Sequence, residues 1–153
     1  MGNRDMVIRS ATKSDFDALY KLGAETPEFR VSRSGAWMDP DEFMSAIENP
    51  SGTFLLAESE GGAAGFIYAN RQDPERGPKT KAACLVYLVV RPEHRKQKIG
   101  QQLWDACLGD LKKHIVTYVY GWANAESDGS MVGFLKKNGF SEGHKYAWMD
   151  KEI

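Results

Sequence analysis

The strongest constraint on the fold is the run of nine apolar residues from Ala82 to Val90, followed at once by Pro92 and then by a helix with a cationic start. Such a run is long enough for a buried strand and too short to cross a bilayer. Pro92 has no N–H to give a ladder, so the strand stops before it. From Ile99 the apolar residues fall at 99, 103, 107, 108, 111 and 115, with Trp104 beside them, the spacing of one helical face. A helix therefore starts near Lys98. Arg95, Lys96 and Lys98 crowd that start, where the helix dipole disfavours cations by about 0.3–1 kcal/mol each. An anion held by the N–H groups of the first turn, with Gly100 beside it, would relieve the conflict. A plain solvated turn is the competing reading.

The remaining composition narrows the class. A chain of 153 residues can bury its own core without disulfides or metal, and no repeat or linker divides it, so a single domain over residues 1–153 is expected. A net charge of −1 argues against a nucleic-acid protein driven by bulk electrostatics. The charge is uneven: residues 91–114 carry six Lys/Arg against three Asp/Glu, and residues 1–50 carry six against nine. One region suits an anion, and the other tolerates a cation. Cys84 in the apolar run and Cys107 on the helix face read as core residues, and neither lies in a metal-ligand or disulfide spacing, so no metal is expected. There is no apolar signal region and no run of membrane-spanning length, which makes a cytoplasmic location the expectation.

In chain order, Val7 and Ile8 open a strand, and Thr12 to Asp15 resembles a capping box that starts a helix with Phe16, Leu19, Tyr20 and Leu22 inward. Residues 25–38 lack a period and read as a connector or a loop over a site. Asp39-Pro40-Asp41-Glu42 starts a second helix, which Asn49-Pro50 stops. Residues 53–57 and 63–69 form a hairpin around a glycine turn, and residues 71–81 form a loop. After the central strand and helix, residues 115–122 make another strand. Ser127 or Asp128 then caps a helix closed by Asn138-Gly139, and residues 140–149 supply one or two final strands. The order β-α-α-β-β-β-α-β-α-β is an α/β layered fold on a largely antiparallel sheet with helices on both faces. The absence of GxGxxG and GK[ST] sequences disfavours Rossmann and P-loop sites.

This order, with five short motifs in it, resembles the GNAT acetyltransferase superfamily over nearly the whole chain. The motifs are Ile8-Arg9 with Thr12 and Asp15, Phe54-Leu55-Leu56-Ala57-Glu58 with Gly65-Phe66, Val90 to Arg95, Ile99-Gly100 with Leu103, and Lys136-Lys137-Asn138-Gly139-Phe140. The resemblance implies an N-acetyltransferase that moves an acetyl group from acetyl-coenzyme A directly to a primary amine. It assigns Arg95, Lys96, Gln97, Lys98, Ile99, Gly100 and Gln101 to the pyrophosphate, the backbone of Leu88, Val89 and Val90 to the pantetheine arm and thioester, and Asn124, or Asp128 if the alignment has no gap, to the same arm. The acceptor amine is left open, as is the choice between monomer and homodimer; no nucleic-acid or membrane partner is implied.

Three departures from the family pattern matter. Lys98 stands where the signature has its first glycine, which requires a helical backbone there if a Cβ is to fit. Leu135 occupies the place of the usual tyrosine general acid, and Cys84 the place of the glutamate base of histone-type members. Tyr120 is the substitute candidate for the acid. Because the acid is displaced, a domain that binds acetyl-coenzyme A without transferring it, a sensor or scaffold, is the alternative reading.

Overall fold

The computed structural model describes residues 6–26, 38–71, 81–94, 97–123, 130–147 and 149–153. The elements are β1 (Val7–Ser10), α1 (Phe16–Ala24), α2 (Pro40–Glu48), β2 (Gly52–Ser59), β3 (Gly62–Asn70), β4 (Ala82–Val90), α3 (Ile99–Lys113), β5 (Tyr118–Gly121) and α4 (Ser130–Lys137). The sheet runs β1-β2-β3-β4-β5. Its first four strands are antiparallel to their neighbours, and β5 is parallel to β4.

Local chemistry explains the helix starts. Asp15 accepts the Thr12 N–H at 2.8 Å and, through two oxygens, the Arg9 guanidinium at 2.9 and 2.8 Å. Arg9 also reaches Glu58 at 2.9 Å, so one side chain ties β1 to the first helix turn and to β2. At α2 the Asp39 carboxylate accepts the N–H groups of Asp41 and Glu42, and Pro40 takes the first helical position.

Helices cover both faces. On one, Ile99, Leu103, Trp104, Cys107 and Leu111 of α3 pack on Ile67, Ala83, Leu85 and Leu88. On the other, Leu19, Leu22 and Phe43 of α1 and α2 meet Phe54, Phe66, Tyr68, Tyr87 and Val89. Phe43 is fully buried, with ring centroids 5.6–5.7 Å from Phe54, Phe66 and Tyr87.

The structure corrects the expected boundaries at several places. The hairpin strands run further than expected, to Ser59 and from Gly62, because a bulge at Ala57/Glu58 absorbs the mismatch. The strand expected from Ile115 begins at Tyr118. Ile115 instead takes φ +61° and ends α3, its N–H bonded to Lys112 O and that of Val116 to Leu111 O. No strand forms in the described residues of 140–149. There Gly139 (φ +88°) and the Phe140 N–H to Leu135 O bond close α4 in a Schellman turn, and Phe140 packs on Trp104 at 5.3 Å. Ser141 to Lys145 form a run without a large apolar side chain, and Tyr146 and Met149 stay exposed rather than packing on the sheet. The expected caps Ser127 and Asp128 lie outside the described residues.

Two stability predictions follow from these contacts. Arg9 holds the Asp15 carboxyl down at about 2 from an ordinary 3.8. A depressed folded-state pKa gives stability that is complete above the ordinary value and lost as pH falls toward 2. Urea unfolding of Asp15→Asn should therefore show a lower midpoint at neutral pH and a shallower decline than the native chain between about pH 4 and pH 2. Ile115 is a β-branched residue in a left-handed turn where glycine is normal, and it is 67% exposed. Ile115→Gly should raise the unfolding free energy by about 0.5–1 kcal/mol, read from the same urea curves.

Candidate active site

Around β4 the sheet forks. The β4–β5 ladder runs from Ala82–Tyr118 to Leu85–Gly121, and among the described residues it goes no further. At the same point Tyr87 pairs with Tyr68 and Leu85 with Ala69, which leaves Val86 as an extra, bulged residue. A bulge bends its strand and increases its twist, turning the end of β4 away from β5. Gly121 allows the last close pairing, since a Cβ there would stand 2.8 Å from Leu85 O. On the inner side, a Cβ at Gly65 would meet Val89 O at 2.5 Å, so β3 lies tightly against the end of β4.

Leu88 and Val89 bury their side chains in opposite cores, so the open side of the fork is offered main-chain groups. That arrangement suits an extended ligand lying along β4 as a strand would. Pro92 ends β4, and Arg91 anchors the corner, its N–H on Ala64 O at 2.8 Å and its Nε on Ala63 O at 3.2 Å.

The start of α3 lies just beyond this corner. The first helical bond runs from the Gln102 N–H to Lys98 O, so the N–H groups of Ile99, Gly100 and Gln101 precede the ladder at the positive end of the dipole. The Ile99 side chain is buried, and that of Gln101 is held by Asp105 and by a reciprocal amide pair with Asn138. These residues therefore contribute backbone rather than side chains. A Cβ at Gly100 would sit 3.6 Å from Val90 and 3.9 Å from Phe134, ordinary contact, so alanine fits there.

Lys98 is exposed with φ +63° and ψ +19°. This corrects the expectation that a side chain at this position needs a helical backbone: Lys98 keeps the left-handed shape that glycine prefers. Gln97 lies exposed in the turn before it. Arg95, Lys96 and Asn124 lie outside the described residues. A polyanion such as a pyrophosphate fits this turn, with amide donors and the Lys98 ammonium on the same corner.

The other singled-out residues separate by face. Cys107 is fully buried, and burial pushes its thiol up to about 12, so it is packing. Cys84 is half-buried, between Asn70 and Tyr120 in register. Val119 packs toward α3, so Tyr118 and Tyr120 alternate onto the α1/α2 face, where their rings stack at 6.1 Å. Tyr120 thus stands one residue before Gly121, at the base of the fork. Leu135 packs against the α3 core.

On the α1/α2 face an open groove of about 510 Å³ runs between α2 and the ends of β3 and β4, reaching Val86 and Tyr87. Tyr68, Asn49 and Asn70 line it with Glu42 and Glu48. Neither the bulge nor this groove was visible in the sequence reading. Val86 is one valine in an apolar run, whereas the glycine that ends Tyr-Val-Tyr-Gly was an available sign of where pairing stops.

Fold, fork and helix start together define an acyltransferase architecture. The profile of the acetyltransferase (GNAT) family matches residues 16–140, and the chain belongs to that family. No curated protein matches the sequence. Among solved structures, the PaiA N-acetyltransferase of Thermoplasma acidophilum, in complex with coenzyme A, aligns with a TM-score of 0.75 at 19% identity, covering 93% of this chain and 94% of that one. The ribosomal-protein-S18-alanine N-acetyltransferase of Escherichia coli aligns at 0.70 and 18%, covering 91% and 79%. An aminoglycoside acetyltransferase from an uncultured soil metagenomic sample, in complex with sisomicin, aligns at 0.74 and 14%, covering 99% and 98%. These likenesses establish the fold. Among the described residues no helix is long and apolar enough to cross a membrane, and no group of three or more His, Cys, Asp or Glu is placed to hold a metal.

The strained Lys98 gives a direct test of the turn. Lys98→Gly removes the left-handed penalty and one cation from the positive helix end, and should stabilise the free protein by about 1 kcal/mol in urea unfolding.

Proposed function

We propose that the protein is an N-acetyltransferase that moves the acetyl group of acetyl-coenzyme A directly onto a primary amine. The observation that carries this reading is the coincidence of three features at one corner: the bulge at Val86, the end of the ladder at Leu85–Gly121, and the amide-rich start of α3. The N–H groups of residues 99–101 and the Lys98 ammonium hold the pyrophosphate, with Arg95, Lys96 and Gln97, which precede them in sequence, as further contributors. The main chain of Leu88 to Val90 and the side chain of Asn124 hold the pantetheine arm. Acetyl-coenzyme A supplies the activated acyl group.

The reaction exchanges a C–S bond for a C–N bond. An ammonium acceptor gives up one proton to become nucleophilic and a second as the amide forms; one goes to the departing thiolate and one to solvent. The protein aligns the two reactants and places an amide donor near the oxygen that gains charge. Tyr120, at the base of the fork on the α1/α2 face, is the candidate to protonate the thiolate. Leu135, packed partly buried against the α3 core where the family carries its tyrosine, favours one second reading, a domain that binds the thioester without transferring it.

The deciding measurement is thiol release from acetyl-coenzyme A in the presence of peptide N-termini, lysine peptides, polyamines and amino sugars. The proposal expects amine-dependent thiol and a weaker coenzyme A affinity in Lys98→Gly, alongside its higher stability. Tyr120→Phe should lower turnover about 10²-fold and remove the high-pH limb of the rate profile. Thermal stabilisation by acetyl-coenzyme A without turnover on any amine would favour the sensor.

A further inference from the structure

The groove beside α2 contains an orphan hydrogen-bond donor. Tyr68 is 5% exposed, its ring set against Gly52, where a Cβ would lie 2.7 Å from Cε1, and stacked on Phe54 at 5.2 Å. Its hydroxyl is 2.9 Å from Asn49 Nδ2. The orientation of that amide is fixed from both ends: Asn49 Oδ1 accepts the Ser51 N–H at 2.9 Å, and Nδ2 also donates to Asn70 Oδ1 at 3.2 Å. The Tyr68 oxygen therefore accepts from Asn49, and its own proton is left over. Among the described residues no protein acceptor takes that proton. A buried donor without a partner costs stability unless water or a ligand in the groove satisfies it.

Charge adds a second constraint. Glu48 is compensated by Lys13 at 3.4 Å, whereas the Glu42 carboxylate has no ion pair among the described residues. Among the described residues, no lysine, arginine or histidine lines the groove. The groove reaches Val86 and Tyr87, the residues at which β4 bends away from β5, on the face that also carries Tyr120.

Resting on the acetyltransferase reading above, we infer that this groove is the acceptor site, and that its acceptor is a cationic amine with an uncharged oxygen acceptor nearby, such as a carbonyl or hydroxyl group. The Glu42 carboxylate attracts the ammonium, and the Tyr68 hydroxyl donates to the oxygen. An amino-acid amide or a peptide N-terminus has this pairing; a plain alkylamine has only the charge, and an acidic amine is repelled.

The test compares leucinamide with isopentylamine, which lacks the carboxamide, as acceptors for acetyl-coenzyme A, and measures leucinamide binding to the coenzyme A complex by calorimetry. The native protein should prefer leucinamide about tenfold in kcat/KM. Tyr68→Phe should lower kcat/KM for leucinamide several-fold more than for isopentylamine, losing most of that preference. Glu42→Gln should raise KM for both amines several-fold without changing the KM for acetyl-coenzyme A. Because Tyr68→Phe leaves Asn49 with one fewer acceptor, Ser45→Trp serves as an independent variant: Ser45 is exposed on α2 and lines the groove, so a large side chain there should block leucinamide binding while coenzyme A still binds.

Equal kcat/KM for the two amines in the native protein, undiminished leucinamide binding in Ser45→Trp, or no leucinamide binding by calorimetry with coenzyme A bound would each overturn the inference. A native protein that fails to bind coenzyme A at all would instead overturn the acetyltransferase reading on which it rests.

Discussion

One extra residue in the central strand governs the arrangement of everything around it. Before Val86, Ala83 and Leu85 face α3; after it, Leu88 faces α3 while Tyr87 and Val89 face α1 and α2. In a regular strand the alternation is strict, so without the bulge Tyr87 and Val89 would turn into the α3 core and Leu88 would meet Phe43. The aromatic cluster around Phe43 and the aliphatic layer under α3 both depend on that single offset. The same offset ends the pairing with β5. Packing on two faces and an open fork are thus consequences of one local irregularity rather than separate features.

Much of this was legible in the sequence, for physical reasons that can be named. The nine-residue apolar run and Pro92 set β4 to its observed limits, and the i, i+4 spacing from Ile99 set α3, because a strand covered on both faces and an amphipathic helix both leave strong periodic signals. Asp39 and Pro40 marked α2 because capping is local chemistry. What escaped was set by longer-range balance. The bulge at Val86 depends on register against Tyr68 and Ala69, which no local propensity encodes. Residues 140–149 contain strand-forming aromatics, but Phe140 is drawn to Trp104, a run without large apolar side chains follows it, and Tyr146 packs on Trp122 instead of pairing in the sheet.

The candidate site divides in the same way. The amide donors at residues 99–101 could be inferred from the helix start, because every helix leaves its first N–H groups outside the ladder. The commitment of the Gln101 side chain to Asn138, and the direction of the Tyr68 proton, could not be read from residue types. Each depends on an amide whose orientation is set by third parties, Asp105 and Phe134 O in one case and Ser51 and Asn70 in the other.

Lys98 brings the two levels together. In the free protein its left-handed backbone costs roughly 1–2 kcal/mol, and its charge at the positive helix end costs about 0.3–1 kcal/mol more. Glycine would avoid both, so stability alone does not account for lysine at this position. The two costs respond differently to a bound anion. The backbone penalty remains, because the left-handed turn is what leads the chain from the end of β4 into α3. The electrostatic penalty changes sign, because a phosphate between the ammonium and the first-turn N–H groups is attracted by both. With the pyrophosphate held there as proposed, a lysine at this turn would exchange stability of the free protein for affinity toward a polyanion, and that exchange would be the physical content of its departure from the glycine signature.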